Sequence, residues 1–379
     1  MHLSFWERQT YFEDVDLLII GAGMVGLNAA LAVRSLKPRW KILVIDRGEF
    51  LPYGASTRNA GFACFGSISE LLDDLRTSGE DEVFALVQRR WEGLKKLRAL
   101  LSDEVLEYEG LGGYEVFTGN DQDLFEACAG HLEDFNKKME PITGIRQTYA
   151  VVSEKKNEFG FRGVEQLILN RGEGQLHTGK MMQALLACTR ERAVEVLNGI
   201  EVKGWHSGQG SVLLETSNGF SFRAQKVLVT TNAFARQLLP ELNVVPGRAQ
   251  VLITAPVKNL KIRGSFHYDK GYYYFRNVGD RVLFGGGRNL DFEGEKTWEF
   301  GLTDRIQTRL EELLREIILP DEAYTIEQRW SGIMGLGDRK SAIIRKAEDR
   351  IYCAVRMGGM GVAIGSLVGE DAARMLVED

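Results

Sequence analysis

The sequence DLLIIGAGMVGLNAALAVRSL, residues 16–36, decides the fold of this chain. It begins with an apolar run typical of a β-strand, continues through the glycine turn GAGMVG and ends in helix-forming residues. The apolar run KILVI at 41–45 then predicts a second strand, which ends at Asp46, 20 residues after Gly26. This order of strand, turn, helix and strand predicts a βαβ unit that binds a dinucleotide.

The glycine turn and the strand end have separate tasks in such a unit. Gly21 permits the tight turn, Gly23 lets the backbone approach a pyrophosphate, and Gly26 lets the helix pack on the strand. Free N–H groups at the helix start attract phosphate, and Asp46 would accept hydrogen bonds from the adenosine ribose. The alternative for Asp46 is a solvated carboxylate at a strand end. None of these features separates NAD from FAD.

Composition and charge limit the classes of function. The 379 residues are 44% hydrophobic, enough for two or three domains, and a net charge of −6 without a dense Lys/Arg run argues against a nucleic-acid partner. The four cysteines are far apart and lack the spacing of zinc ligands, so no metal site is predicted and a reducing cytoplasm is the expected location. The uncharged stretch 17–33 contains three Gly and an Asn, which argues against a membrane span or a signal peptide.

The rest of the chain alternates between helical and extended patterns. Helices are predicted within 67–101, 121–139, 175–192 and 304–317. Strands dominate 200–231, where short turns link three of them, and 245–290. The C-terminal residues return to a strand, a glycine-rich turn and a helix. This alternation predicts two interleaved domains.

Further segments of the chain carry a family pattern. They are SFWERQ at 4–9, ASTRNAGF at 55–62, TTNAFA at 230–235, PGRAQVLIT at 246–254 and GGMGVAIG at 358–365. In this order and spacing they resemble the D-amino-acid oxidase-like (DAO) family of FAD-dependent oxidoreductases, which includes glycine oxidase, sarcosine oxidase and γ-glutamylputrescine oxidoreductase. The resemblance spans the whole chain.

This resemblance implies an α/β fold in which a Rossmann-like FAD-binding domain is interleaved with an α+β substrate domain built on a mostly antiparallel sheet. The FAD-binding domain is expected to be discontinuous, in 1–85, 150–235 and 325–379. The substrate domain is expected in 86–149 and 236–324.

The resemblance also implies which residues hold FAD. The loop Ser56–Gly61 would pass along the flavin, Val202 would contact adenine through its backbone, and the turn 358–361 would aim N–H groups at the flavin. The alternatives are a polar surface loop for the first and a core side chain for Val202. The implied cofactor residues are Gly21, Ala22, Gly23, Met24, Gly26, Asp46, Arg47, Ser56, Thr57, Arg58, Asn59, Ala60, Gly61, Val202, Thr231, Asn232, Gly332, Met357, Gly358, Gly359, Met360, Gly361 and Val362.

Three residues are candidates for the catalytic side of the site. Tyr272 and Tyr274 share one face of a predicted strand, and Tyr272 matches a substrate-contacting Tyr of glycine-oxidase-like members. The alternative for these tyrosines is an aromatic core. Arg356, directly before the glycine turn, is expected to be a cation that stabilises the reduced flavin, with a structural salt bridge as the alternative.

The chain departs from the family pattern at three places. Ile333 stands where related amino-acid oxidases carry an Arg for the substrate carboxylate, which weakens the case for a simple α-amino acid. No Cys lies between Gln328 and Tyr352, where sarcosine-oxidase-like members attach FAD, so FAD is expected to be noncovalent. Leu283 replaces a Lys that activates oxygen in those members, so oxygen need not be the electron acceptor.

Taken with the resemblance, these residues predict an enzyme that oxidises a carbon–nitrogen bond of a small amine or amino acid. Hydride passes to flavin N5, and the imine product hydrolyses. The reaction requires an oriented substrate and a stabilised reduced flavin, and it demands neither a nucleophile nor a carboxylate pair. Two alternatives stay open, namely a noncatalytic nucleotide-binding protein and a flavoenzyme that acts on a modified macromolecule. No oligomeric state is predicted.

Overall fold

A computed structural model describes residues 3–13, 15–208 and 210–379. In chain order, the strands are Val15–Ile20 (β1), Ile42–Ile45 (β2), Phe62–Ala63 (β3), Gly113–Thr118 (β4), Tyr149–Val151 (β5), Val164–Asn170 (β6), Gly174–Gln175 (β7), Glu195–Leu197 (β8), Val202–Gly208 (β9), Ser211–Thr216 (β10), Ser221–Val229 (β11), Val245–Thr254 (β12), Ser265–Tyr268 (β13), Tyr273–Val278 (β14), Arg281–Gly286 (β15), Ile326–Leu336 (β16), Ile343–Glu348 (β17) and Ile351–Val355 (β18). The helices are Phe5–Glu7 (α1), Met24–Leu36 (α2), Ile68–Asp74 (α3), Glu80–Leu101 (α4), Asp103–Leu106 (α5), Gln122–Thr143 (α6), Lys156–Phe159 (α7), Thr178–Glu191 (α8), Asp304–Leu313 (α9) and Gly361–Glu378 (α10). Within this described part of the chain, no helix is both long enough and apolar enough to cross a membrane.

The first sheet contains the predicted βαβ unit. Its main path runs β17-β18-β11-β1-β2-β8, and β10 and β9 extend it beside β11. β1 pairs in parallel with both β2 and β11, and β11 pairs in parallel with β18. Leu17 and Ile19 pack into one hydrophobic core while Leu18 and Ile20 pack into another, so both faces of β1 are buried. The predicted strand, turn and helix at 16–36 are confirmed.

The second sheet is mostly antiparallel, as expected for the substrate domain. Its strand order is β16-β12-β15-β14-β13-β4-β6-β5, and only the β13–β4 pair within this order is parallel. Ile306 and Leu310 of α9 pack with Phe275 and Phe284 of the sheet in one buried core. The molecule therefore combines a parallel Rossmann-like layer with an α+β region, which confirms the predicted fold class.

Helix α10 packs between α2 and α4 at very short range. A Cβ added to Gly369 would lie 2.7 Å from the carbonyl oxygen of Val25 in α2. On the other side, a Cβ added to Gly93 of α4 would lie 2.1 Å from the carbonyl oxygen of Ala363. The hydroxyl of Ser366 donates a hydrogen bond to the Gly93 carbonyl at 2.7 Å. Glycine is therefore needed where the helix backbones meet.

The strand pairing corrects the predicted domain boundaries. The segments 150–235 and 325–379, expected in the FAD-binding domain, contain β6 and β16, which pair inside the second sheet. Conversely, α4 crosses the boundary expected at 86 and packs on α10. An apolar period of two predicts a strand, but it does not identify the sheet that the strand joins, because the pairing partner lies far along the chain.

The contact between α4 and α10 can be tested with Gly93→Ala. We expect the added methyl group to lower the free energy of unfolding by about 1–3 kcal/mol, because it meets backbone that cannot move aside. Urea denaturation of the purified protein measures this change. Gly130 in the exposed part of α6 is the matched control, since nothing lies within 4 Å of its added Cβ. Gly130→Ala should be neutral or stabilise by up to about 1 kcal/mol, and equal losses in both variants would contradict the packing argument.

Candidate active site

A cavity of about 1450 Å³ is lined by residues from both sheets. Its wall includes Ile20 and Ile45 at the ends of β1 and β2, and Val251 and Tyr274 from the second sheet. The volume exceeds the roughly 300–1000 Å³ typical of small-molecule sites, so the cavity has room for a dinucleotide and a small substrate together. Most of the predicted site residues lie on its wall. The exceptions are Ala22, Gly26, Thr57 and Arg356.

The glycine turn leads from β1 into α2 at one end of this cavity. Gly21 has a φ of +109°, which glycine adopts without strain. A Cβ at Gly23 would lie 2.9 Å from the hydroxyl oxygen of Ser56, and that hydroxyl accepts a hydrogen bond from the Met24 N–H at 3.0 Å. Gly26 does not line the cavity. A Cβ there would lie 1.9 Å from the Gly21 carbonyl oxygen, so Gly26 allows the close packing of α2 on the turn. A ligand at this turn would therefore contact its backbone atoms rather than side chains.

Asp46 lines the cavity and also holds the glycine turn in place. One carboxylate oxygen accepts a hydrogen bond from the Ala22 N–H at 2.9 Å. The other accepts from the N–H groups of Gly48 at 2.8 Å and Tyr53 at 3.0 Å. The carboxylate is buried and anchored by these three amides, which excludes the alternative of a solvated strand-end group. A ribose contact for Asp46 stays a prediction.

The loop at 56–61 is folded by its own hydrogen bonds. Thr57 points away from the cavity, because its hydroxyl lies within 3.2 Å of the carbonyl oxygens of Pro52 and Gly54. Arg58 donates to the carbonyl of Ser331 at 3.0 Å and lines the cavity. Asn59, Ala60 and Gly61 also lie on the wall, so the loop is part of the site rather than a polar surface segment.

A second helix start faces the same cavity. The residues from Met357 to Val362, which end the glycine-rich turn and begin α10, all line the wall. Asn232 holds this turn, because its side-chain oxygen accepts hydrogen bonds from the N–H groups of Arg356 and Met357, both at 3.1 Å. The neighbouring Thr231 hydroxyl is buried and has no hydrogen-bond partner within the described residues. Val202 and Gly332 also line the cavity, and their contact with a cofactor stays a prediction.

The structure corrects the predicted role of Arg356. Its guanidinium donates to the carbonyl of Ser341 at 2.9 Å and to that of Asn243 at 3.3 Å, and it lies 3.5 Å from the Asp338 carboxylate. The backbone of Arg356 has a φ of +68°, so the chain turns at the end of β18 and the side chain leaves the cavity. Arg356 therefore takes the structural alternative, and it is not among the residues that line the cavity.

The three tyrosines at 272–274 divide between the cavity and the core. Tyr273 packs into the core of the second sheet, while Tyr272 and Tyr274 line the cavity. Burial raises the pKa of Tyr274 to about 12, so its hydroxyl keeps its proton at neutral pH. A Cβ at Gly285, the cross-strand partner of Tyr274, would lie 2.7 Å from the tyrosine ring, so glycine makes room for that ring. The shared face predicted for Tyr272 and Tyr274 is present.

Strand β16 carries no cation toward the cavity. Ile333 is buried against Ala233 and Phe234, and the next residue, Met334, lines the wall. Leu283 of β15 lies off the wall and packs with Val251. The residues of β16 that line the cavity are uncharged, namely Gly332, Ile333, Met334 and Leu336.

Sequence reasoning missed a buried polar cluster beside the cavity. Cys64 and His267 line the wall, and Nε2 of His267 lies 3.5 Å from a Glu173 carboxylate oxygen. Glu173 also accepts hydrogen bonds from the N–H groups of Phe65 and Gly66 at 3.1 and 3.2 Å. Burial alone would lower the pKa of His267, but the adjacent Cys64 and Glu173 raise it well above its usual value. No local motif signals this cluster, since its members come from three distant segments.

A basic residue at the end of β15 was also missed. Arg288 follows three consecutive glycines and lines the cavity near Tyr272. The run FGGGR at 284–288 was the available signal, because a strand that ends in several glycines can turn sharply and redirect the next side chain.

Comparisons with known proteins agree with this geometry. The family described as FAD dependent oxidoreductase (DAO) matches residues 16–375. A probable oxidoreductase, OrdL, of Haemophilus influenzae is 22% identical over 98% of this chain and 84% of its own length. The structure of L-proline dehydrogenase from P. horikoshii has a TM-score of 0.75 at 18% identity, covering 97% of this chain and 94% of that one. Glycine oxidase from Bacillus cereus has a TM-score of 0.75 at 15% identity, covering 96% and 95%. These solved structures share the fold.

The anchoring role of Asp46 predicts that Asp46→Ala destabilises the protein even without a ligand. The change leaves buried N–H groups without acceptors, so we expect the apoprotein to lose about 1–3 kcal/mol of unfolding free energy or more. Denaturant titration of apoprotein measures the loss, and a flavin-binding titration should show weaker FAD affinity in parallel. Glu195→Ala, at an exposed position of β8, is the control and should change neither quantity. If the Asp46→Ala apoprotein were as stable as the wild-type apoprotein, the anchoring role would be ruled out and Asp46 could act only in binding a ligand.

Proposed function

The chain belongs to the DAO family of FAD-dependent oxidoreductases, and we propose that it oxidises a carbon–nitrogen bond of a small amine or amino acid. One observation carries the proposal: a single cavity joins the glycine turn at 21–26 to the tyrosine-bearing face of the second sheet. A cofactor held at the first helix start can thus extend toward a substrate on the second sheet. The four unpaired cysteines suit a reducing compartment, in line with the proposed cytoplasmic location.

The cavity wall fits FAD on two grounds. A Cβ at Gly23 would crowd the Ser56 hydroxyl, so glycine suits a turn where backbone N–H groups meet a pyrophosphate. At the other helix start, the buried hydroxyl of Thr231 has no partner within the described residues and can bond a polar cofactor atom. When bound, FAD supplies the acceptor for the hydride that leaves the carbon next to nitrogen.

The chain's own residues would bind the cofactor, orient the substrate and exclude water from the site. The start of α2 would favour the negative pyrophosphate of FAD, and the positive potential at the start of α10 would stabilise the negative charge of a reduced flavin. Tyr274, with its high pKa, can donate a hydrogen bond without losing its proton. Its ring meets that of Phe62 edge to face at 5.6 Å, which keeps this wall of the site apolar. No residue needs to act as a nucleophile.

We propose that FAD binds without a covalent bond to the protein. No cysteine lies in the stretch 328–352, and the cavity cysteine Cys64 lies 3.7 Å from the sulfur of Met360. We therefore expect acid precipitation to release all flavin into the supernatant, measured by its absorbance. Flavin that stays with the precipitate would contradict this, and its loss in Cys64→Ser would then identify the attachment residue.

The oxidation itself is tested by anaerobic bleaching of bound flavin with a panel of amines and amino acids. We expect at least one to reduce the flavin, and Tyr274→Phe to slow that reduction up to roughly tenfold, the effect of losing a hydrogen bond worth about 1 kcal/mol. Tyr273→Phe, on the opposite face of the same strand, is the control and should reduce at the wild-type rate. A yellow protein that no amine or amino acid bleaches would favour a noncatalytic nucleotide-binding protein or a macromolecular substrate.

A further inference from the structure

The end of β15 is shaped to bring its next side chain into the cavity. Gly286 and Gly287 have φ values of +125° and +78°, which redirect the chain as the strand ends. A Cβ at Gly286 would lie only 2.0 Å from the carbonyl oxygen of Tyr272, and the Gly287 N–H donates to that same oxygen at 3.0 Å. The backbone of Tyr272 and the turn before Arg288 are thus locked together, so the two side chains reach the cavity from one corner of the sheet.

The guanidinium of Arg288 is held beside the cavity without an anionic partner. It lies 4.7 Å from the ring centre of Phe292, and that ring meets Tyr272 edge to face at 5.9 Å. Arg288 makes no side-chain hydrogen bond or ion pair to any of the described residues. The nearby carboxylate of Glu295 is already bound by Arg248 through two hydrogen bonds of 2.8 Å. Arg288 is therefore free to meet an anion from outside.

Most other basic residues of the cavity wall are committed to protein partners. The pairs are Lys270 with Asp73, Lys340 with Asp74, Arg89 with Asp371, Arg58 with the Ser331 carbonyl and Arg90 with the Phe65 carbonyl. Arg47 stacks on Phe234 next to Asp46, at the nucleotide end, and Arg339 is exposed. On the second-sheet side, His267 is paired with Glu173, and Arg288 is a partly buried cation without an anionic partner among the described residues, near the uncharged Met334 of β16.

We propose that Arg288 and Tyr272 form a carboxylate-binding subsite, which makes the substrate an amino acid rather than a simple amine. This inference rests on the proposed function, because it concerns the substrate of the same cavity. A planar guanidinium can bind a carboxylate through two parallel hydrogen bonds, and the Tyr272 hydroxyl offers a further donor. The ring of Phe292 limits the motion of the guanidinium and shields it from water on one side.

The direct test uses the FAD-loaded protein and ligands that cannot react. Propionate should perturb the flavin absorbance with a measurable dissociation constant, while propionamide, of the same shape without the charge, should not. We expect Arg288→Gln to raise the propionate dissociation constant at least tenfold and Arg288→Lys to raise it less. Arg281→Gln, at the start of the same strand and away from the cavity wall, is the matched control and should bind propionate as wild type does.

Two results would overturn the subsite: wild-type propionate affinity in Arg288→Gln, or equal binding of propionate and propionamide by the wild type. Tyr272→Phe gives a milder probe that keeps the ring, and it should weaken propionate binding by a smaller factor than Arg288→Gln. Because these measurements need no turnover, they decide on the subsite even when the reacting substrate is not known.

A second experiment separates the subsite from the proposed function. Anaerobic bleaching is compared for matched pairs with and without a carboxylate, proline against pyrrolidine and sarcosine against dimethylamine. If the amino acid of a pair reduces the flavin faster than the amine does, and Arg288→Gln removes this difference, the result supports both the subsite and the proposed oxidation. Equal reduction by both members overturns the subsite and leaves the function standing. Arg288-dependent propionate binding without bleaching by any amine or amino acid supports the subsite and contradicts the proposed oxidation.

Discussion

The cavity depends on the close packing of α10 against α2 and α4. Backbone meets backbone at Gly369 on one side and at Gly93 on the other, with no space for a side chain at either contact. Both α2 and α10 begin at the cavity wall, so this packing brings two helix starts, each with free N–H groups, to one space. A bulkier residue at either contact would shift the helix start as well as the core, which couples stability to cofactor binding.

The two ends of the cavity differ in whether backbone groups or side chains form the wall. At the end near the glycine turn, backbone groups form most of the wall, and Asp46 accepts hydrogen bonds from three backbone N–H groups. Toward the second sheet, side chains form most of the wall. Glu173 accepts hydrogen bonds from the backbone of Phe65 and Gly66 and lies beside His267 of β13, so it links the segment after the loop at 56–61 to the sheet. A buried carboxylate is tolerated there because it is both hydrogen-bonded and close to a cation.

This difference explains what could be predicted from the sequence. The glycine turn, α2 and β2 follow from local spacing, and the family pattern pointed to the turn that begins α10. The role of Arg356 could not be derived, because its position directly before the glycine turn does not reveal that its backbone has a positive φ, which changes the direction of its side chain. The strand membership of β6 and β16 and the Glu173–His267 pair depend on partners that only the folded chain brings together. Spacing along the chain carries no signal for such contacts.

In the proposed subsite, Arg288 would select the substrate from a turn rather than from a regular strand. A cation on β16 would be held by the regular strand, whereas Arg288 sits on a turn whose course is set by Gly286 and Gly287. A turn can change its length or direction without disturbing the hydrogen bonds of the sheet, so substrate preference can change there at little cost to stability. The ion pairs of Lys270 and Lys340 are partly exposed and contribute little individually, but they keep those two charges from competing with Arg288 for an anion. In the proposed subsite, selection for charge in the substrate is thereby concentrated at one residue of the turn after β15.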